Sequence, residues 1–156
     1  MLDPTSGPEL HTHPLIHDLL ALVDELGLDL DDMVIFGSGP LLAKGIRSDV
    51  GDLDIVARDR TWKVVELHGD PVIGEINGAR MFEFCAGRIQ FSAGWVSPAW
   101  HASDLIARAE IIEGLPFACL EDVLAYKEQL HRPKDQPDIA SLRALGILPT
   151  ELRPLP

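Results

Sequence analysis

Two short segments constrain this chain more than anything else in it. "MVIF" (33–36) is a run of four apolar residues followed by Gly-Ser-Gly-Pro. That is the pattern of a buried strand stopped by a turn. "DLDIVA" (52–57) alternates instead. Asp52, Asp54 and Val56 fall on one face of a strand, and Leu53, Ile55 and Ala57 on the other. Between them, "PLLAK" (40–44) reads as a short helix. Pro40 suits its first position, Ser38 or Gly39 its cap, and Gly45 its end. A strand, a glycine turn, a helix and a second strand call for a sheet with helical connections.

The flanking sequence supplies the helices. "PLIHDLLALVDELG" carries an apolar stripe at helical spacing from Leu15 to Leu26, with Pro14 in the first turn and Gly27 at the stop. "RTWKVVELHG" (60–69) reads as a helix. "MFEF" (81–84) and "RIQFSAGW" (88–95) read as a hairpin turning at Ala86-Gly87. "SDLIARAE" (103–110), capped by Ser103, "LEDVLAYKEQLH" (120–131) and "DQPDIASLRALG" (135–146) read as three more helices, the last two separated by Pro133. The expected class is α/β (α+β), one mixed sheet with helices packed against it. Residues 14–146 make the domain, with a flexible tail over 1–13 and a second tail over 147–156.

At 156 residues the chain suits one domain. Net charge is −12, from 13 basic and 25 acidic residues. A broad grip on nucleic acid needs Lys and Arg to neutralise phosphates, so duplex nucleic acid is disfavoured as a partner. The acids of "DELGLDLDD" (24–32) read as a solvated helix end. No apolar run approaches the ~20 residues of a membrane helix. No basic region followed by an apolar run opens the sequence, so a cytoplasmic setting is expected. Cys85 and Cys119 match no metal spacing and read as free thiols. His11, His13 and His17 lack accompanying ligands at metal spacing.

The Gly-Ser turn fails three familiar motifs. The order Lys44-Gly45-Ile46 is not that of a Walker loop, Leu42 stands where a dinucleotide fingerprint needs Gly or Ala, and Phe36 and Pro40 stand where a hydrolase elbow around Ser38 needs glycines. What remains is a turn at which backbone N–H groups can face an anion, with Gly37 allowing close approach. Asp52 and Asp54, with Cα atoms about 6–7 Å apart on one strand face, can converge on a hard cation such as Mg²⁺. An anion turn and a carboxylate pair on neighbouring strands suit a metal-bound nucleoside triphosphate attacked at phosphorus.

Phe36-Gly37-Ser38, a gap of thirteen residues, then Asp52-Leu53-Asp54-Ile55 resembles the signature of the DNA polymerase beta-like nucleotidyltransferase superfamily. "YKEQLHRPKDQPDIASL" (126–142) is similar to the C-terminal helices of small bacterial members, of the lincosamide-resistance and abortive-infection toxin types. The counterparts there are Lys127, Arg132, Lys134, Asp135 and Asp138. The resemblance spans roughly residues 33 to 145. It implies a minimal nucleotidyltransferase fold, a nucleoside triphosphate and Mg²⁺ (or Mn²⁺). It also implies roles: Gly37 and Ser38 at the phosphates, Asp52 and Asp54 at the metal, Lys127 steadying the triphosphate, and Arg47 touching a phosphate or capping a helix.

Catalysing members use a third carboxylate on a later strand, and here that position holds Gln90. A glutamine offers a carbonyl oxygen but accepts no proton from a hydroxyl. The hairpin offers a substitute. A turn at Ala86-Gly87 pairs Cys85 with Arg88, Phe84 with Ile89 and Glu83 with Gln90, so Glu83 shares the face of Gln90. Glu83 either supplies the missing carboxylate or sits on an outer face. Arg132 and Lys134 either face the triphosphate or pair with Asp135 or Asp138. His101, Trp95 and Trp100 either line an acceptor pocket or pack in the core, where Tyr126 and Phe117 are also placed. Three readings follow. One is an enzyme moving a nucleoside monophosphate to a hydroxyl of a small molecule or protein. The second is a nucleotide- or partner-binding module that has lost catalysis, and the third is a structural domain.

Overall fold

The computed structural model describes residues 8–73, 80–93 and 101–151. Among them the elements run α1 (Pro8–Thr12), α2 (Pro14–Leu26), β1 (Met33–Phe36), α3 (Gly39–Ala43), β2 (Leu53–Ala57), α4 (Asp59–His68) and β3 (Asp70–Ile73). There follow β4 (Arg80–Phe84), β5 (Ile89–Ser92), α5 (Ala102–Ala107), β6 (Glu110–Ile112), β7 (Leu115–Phe117), α6 (Leu120–Leu130) and α7 (Gln136–Ala144). The strands form one mixed sheet in the order β3-β4-β5-β2-β1-β7-β6. β1 is antiparallel to β2 and parallel to β7, and β2 is parallel to β5. The expected mixed α/β architecture is therefore the one observed.

β1 shows why the centre of the sheet is fixed. All four of its residues are buried, as an apolar run without alternation requires of a strand covered on both faces. Met33 and Ile35 join a core with Leu15, Ile16 and Leu19 of α2, Val65 of α4, and Leu53, Ile55, Ile89 and Phe91 of the neighbouring strands. Val34 and Phe36 point the other way, into a second core with Val56, Leu105 of α5, Val123, Leu124 and Tyr126 of α6, and Leu142 of α7. Helices thus cover both faces. α2 ends as its sequence demands: Gly27 takes a left-handed φ of 66° and its N–H bonds Val23.

Several boundaries differ from the sequence reading. α1 and the buried Leu10 extend the folded part into the expected N-terminal tail. At the other end, Thr150 is docked, its N–H on Glu121 and its hydroxyl 2.6 Å from the buried Asp122. α5 begins at Ala102 behind an exposed His101 and stops at Ala107, and Glu110 already belongs to β6. His101 is therefore not a core residue. The edge strands β3 and β6, with β7, are additions to the strands expected. Cys85 and Cys119 are free thiols. No helix among the described residues is long and apolar enough to cross a membrane. Trp95 and Trp100 lie outside the described residues.

Candidate functional site

The sheet register assembles the site. Phe36 pairs with Asp54 across β1 and β2, Asp54 with Gln90 across β2 and β5, and Gln90 with Glu83 across β5 and β4. Paired residues share a face, so Asp54, Gln90 and Glu83 stand in one row on the side covered by the C-terminal helices. The predicted hairpin register is the observed one at Phe84–Ile89 and Glu83–Gln90.

β1 delivers the glycine turn to the head of this row. Gly37 has φ 62°, and a Cβ built there would lie 2.8 Å from Oδ2 of Asp54. Any side chain at 37 would collide with that carboxylate and strain the backbone. Pro40 leads α3 as expected, but α3 has only five residues and Ser38 does not cap it with its side chain. The Ser38 hydroxyl is engaged elsewhere: it accepts a hydrogen bond from Nζ of Lys127 at 3.1 Å. A serine hydroxyl has one proton and two lone pairs. Accepting from Lys127 leaves its O–H to donate to an anion at the turn.

Asp52 is exposed just before β2, and Asp54 is only partly open to water. Burial first, and the negative charge of Asp52 second, push the Asp54 carboxyl up to about 6, against the pull of Lys134, Arg132 and Lys127. A carboxylate held up by desolvation and by a second acid is one that a divalent cation would relieve. Mg²⁺ commonly takes one or two carboxylates from a protein and completes its shell with phosphates and waters. The pair therefore fits the ion. Among the described residues no group of three His, Cys, Asp or Glu converges as a metal site. Gln90 directs its amide N–H groups at Oε1 of Glu83 and the Gly87 carbonyl, both at 3.4 Å. The histidines, too, do structural work. His13 accepts from the Leu15 N–H through Nδ1 and meets Asp49 through Nε2 at 2.6 Å, and His11 bonds the Glu113 carbonyl.

Lys127 departs most from its sequence reading. Its side chain is 2 % exposed, and its ammonium meets Ser38 at 3.1 Å, Asp135 at 3.0 Å and Asp138 at 3.2 Å. Burying an ammonium is tolerable only when such partners replace water. Burial works to raise Asp135, but the hydrogen bonds from Arg132 and Lys127 prevail and hold it below the ordinary carboxylate range. Arg132 Nε lies 2.7 Å from Asp135, and Arg47 Nη1 lies 3.5 Å from Asp138. Arg47 thus faces the second acid of this cluster. Tyr126, edge-on to Phe36 at 5.1 Å, closes the side of the row, and burial drives its hydroxyl pKa upward. One buried ammonium therefore ties the β1 turn to the start of α7. Sequence reasoning placed these residues in one motif but missed that Lys127 is closed to water. The signal available was two aspartates, eight and eleven residues after a lysine, on the following helical turn.

No family model matches the chain, and no curated protein matches it. Among solved structures, it is similar to a crystal structure of a protein from Thermotoga maritima provisionally described as a nucleotidyltransferase. The match has a TM-score of 0.50, with 14% identity, and covers 86% of this chain and 98% of that one. The chain has a nucleotidyltransferase-like fold. At this identity the likeness speaks for the architecture, and the residues of the row carry the functional reading.

Proposed function

We propose that the chain binds a nucleoside triphosphate with Mg²⁺ (or Mn²⁺) and transfers the nucleoside monophosphate to a hydroxyl of a small-molecule or protein acceptor. One observation carries the reading: Asp54, its pKa raised, lies directly against Gly37 of the glycine-serine turn. Phosphate donors and cation ligands meet there within one pair of strands. The Ser38 O–H and nearby N–H groups would bind phosphate oxygens. Asp52 and Asp54 would hold the cation, which supplies charge neutralisation at the phosphates. Gln90, next in the row, has no proton-accepting carboxylate, and Glu83 stands one hydrogen bond further out. In this reading Glu83 takes the acceptor's proton through an intervening water. The test is Mg²⁺-dependent pyrophosphate release in the presence of candidate acceptors, abolished by Asp52→Asn. Turnover unaffected by that substitution would reject the assignment.

The Gln90 amide, which donates to Glu83 and to the Gly87 carbonyl, favours a second reading. In it the fold retains the nucleotide but has lost chemistry, and serves as a binding module for a partner protein. Nucleotide binding without pyrophosphate release for any acceptor would select this reading.

A further inference from the structure

Lys127 is the cation that the sequence points to at the triphosphate, but its side chain is 2 % exposed, and its ammonium donates to Ser38 and Asp135 and pairs with Asp138 at 3.2 Å. A phosphate reaching it would have to enter a buried cluster beside two carboxylates, Asp135 and Asp138. Two other cations stand at the elbow that Lys127 anchors. α6 ends at His131, whose left-handed backbone (φ 54°) turns the chain away. The 3₁₀ turn Pro133–Asp135 follows and is pinned through Asp135 to Lys127. Arg132 and Lys134 flank Pro133 on this turn. Arg132 reaches Asp135 through Nε and is 29% exposed. The four N–H donors on its Nη atoms have no partner among the described residues. Lys134 is exposed and has neither an ion pair nor a hydrogen bond among them. In a chain of net charge −12, two under-used cations on a turn tied through Asp135 and Lys127 to Ser38 are suited to an anion.

We propose that Arg132 and Lys134, at the elbow between α6 and α7, are the side chains that grip the nucleotide's triphosphate, and that Lys127 positions this elbow against the Ser38 turn without touching the ligand. The proposal rests on the nucleotide-binding reading above. A guanidinium anchored by Nε presents its Nη edge as a fork for phosphate oxygens, and Lys134 adds a point charge on a flexible stem.

Titration calorimetry with Mg²⁺ tests this on wild type, Arg132→Gln, Lys134→Gln, Lys127→Met, the Arg132→Gln/Lys134→Gln double variant and the triple variant. The probes are the four nucleoside triphosphates, the matching monophosphates and inorganic tripolyphosphate. Arg132→Gln and Lys134→Gln should each weaken triphosphate and tripolyphosphate binding by roughly tenfold or more. Monophosphate binding should change by less than about threefold, the margin of an exposed charge pair. Lys134→Gln is on the surface, so its melting temperature checks that the loss is not unfolding. Adding Lys127→Met to the Arg132→Gln/Lys134→Gln double variant should cost no further triphosphate-over-monophosphate preference, because Lys127 acts through that elbow. The proposal is overturned if both elbow variants bind tripolyphosphate as wild type does, or lose triphosphate and monophosphate in equal proportion. It also falls if the ratio collapses only in Lys127→Met. A wild type that binds no nucleotide overturns both this proposal and the reading beneath it.

Discussion

Asp54→Asn should make the metal-free protein more stable. Asp54 has a carboxyl raised from 3.8 to about 6 by burial and by Asp52. Its folded form therefore holds a proton more tightly than its unfolded form. The sign follows from linkage. Below about 3.8 both forms are protonated and the group costs nothing. As pH rises toward 6 the unfolded chain ionises first and stability falls, and above 6 the full cost is present. The gap corresponds to about 3 kcal/mol at neutral pH if the whole shift survives. Partial exposure of the side chain screens it, so a gain of about 1–3 kcal/mol is expected from the neutral isostere. For a domain of this size that is several degrees in melting temperature. The assay is urea denaturation in a metal chelator from pH 3.5 to 8, on wild type and Asp54→Asn. The two curves should coincide at the acid end and diverge between about pH 4 and 6. Mg²⁺ should then recover stability in wild type and not in the variant. A variant less stable than wild type at pH 7, or a difference that does not change with pH, would refute the reasoning.

Three further outcomes follow from the same geometry. Lys127→Met strands Asp135 and Asp138 without their shared ammonium, and should cost about 3–5 kcal/mol in urea denaturation, whereas a loss under about 1 kcal/mol would mean that the cluster is not a buried one. Gly37→Ala, at φ 62° with its Cβ 2.8 Å from Asp54, should cost roughly 1–3 kcal/mol through strain and collision, read as a fall in melting temperature; a neutral result would mean the turn is not as described. Gln90→Glu sets a second acid beside Glu83 and extends the Asp54 row, so it should lower metal-free stability by about 1–2 kcal/mol and enlarge the thermal shift given by Mg²⁺, and an unchanged metal response would place Gln90 outside the site.

The sequence made the middle of the sheet legible for physical reasons. "MVIF" is too short and too uniformly apolar to be anything but a strand covered on both sides, and Gly37 and Pro40 punctuate it. The hairpin register could be deduced because a turn at Ala86-Gly87 fixes every pair behind it. The edges were harder. β3 contains Pro71 and exposes most of its residues, and β6 and β7 have three residues each, too few for an alternation to show. The apolar spacing of Leu105, Ile106 and Ala109 mimicked a longer helix, although the chain leaves α5 at Ala107. The burial of Lys127 was hidden for a different reason. A lysine on a helix ordinarily snorkels to water, and only partners far away in sequence, such as Ser38, can hold one inside. Such burial is a property of tertiary structure, and a motif records only that the lysine and the two aspartates occur together.

The central claim is that the Gly37–Ser38 turn and the Asp52–Asp54 pair form one nucleotide site. It is tested most directly by measuring the binding of all four nucleoside triphosphates, with and without Mg²⁺, to wild type and to the Asp52→Asn/Asp54→Asn double variant. Binding in wild type should depend on Mg²⁺ and should disappear in the double variant while the variant remains folded. Binding that ignores both the metal and the aspartates, or no binding under any condition, would contradict it.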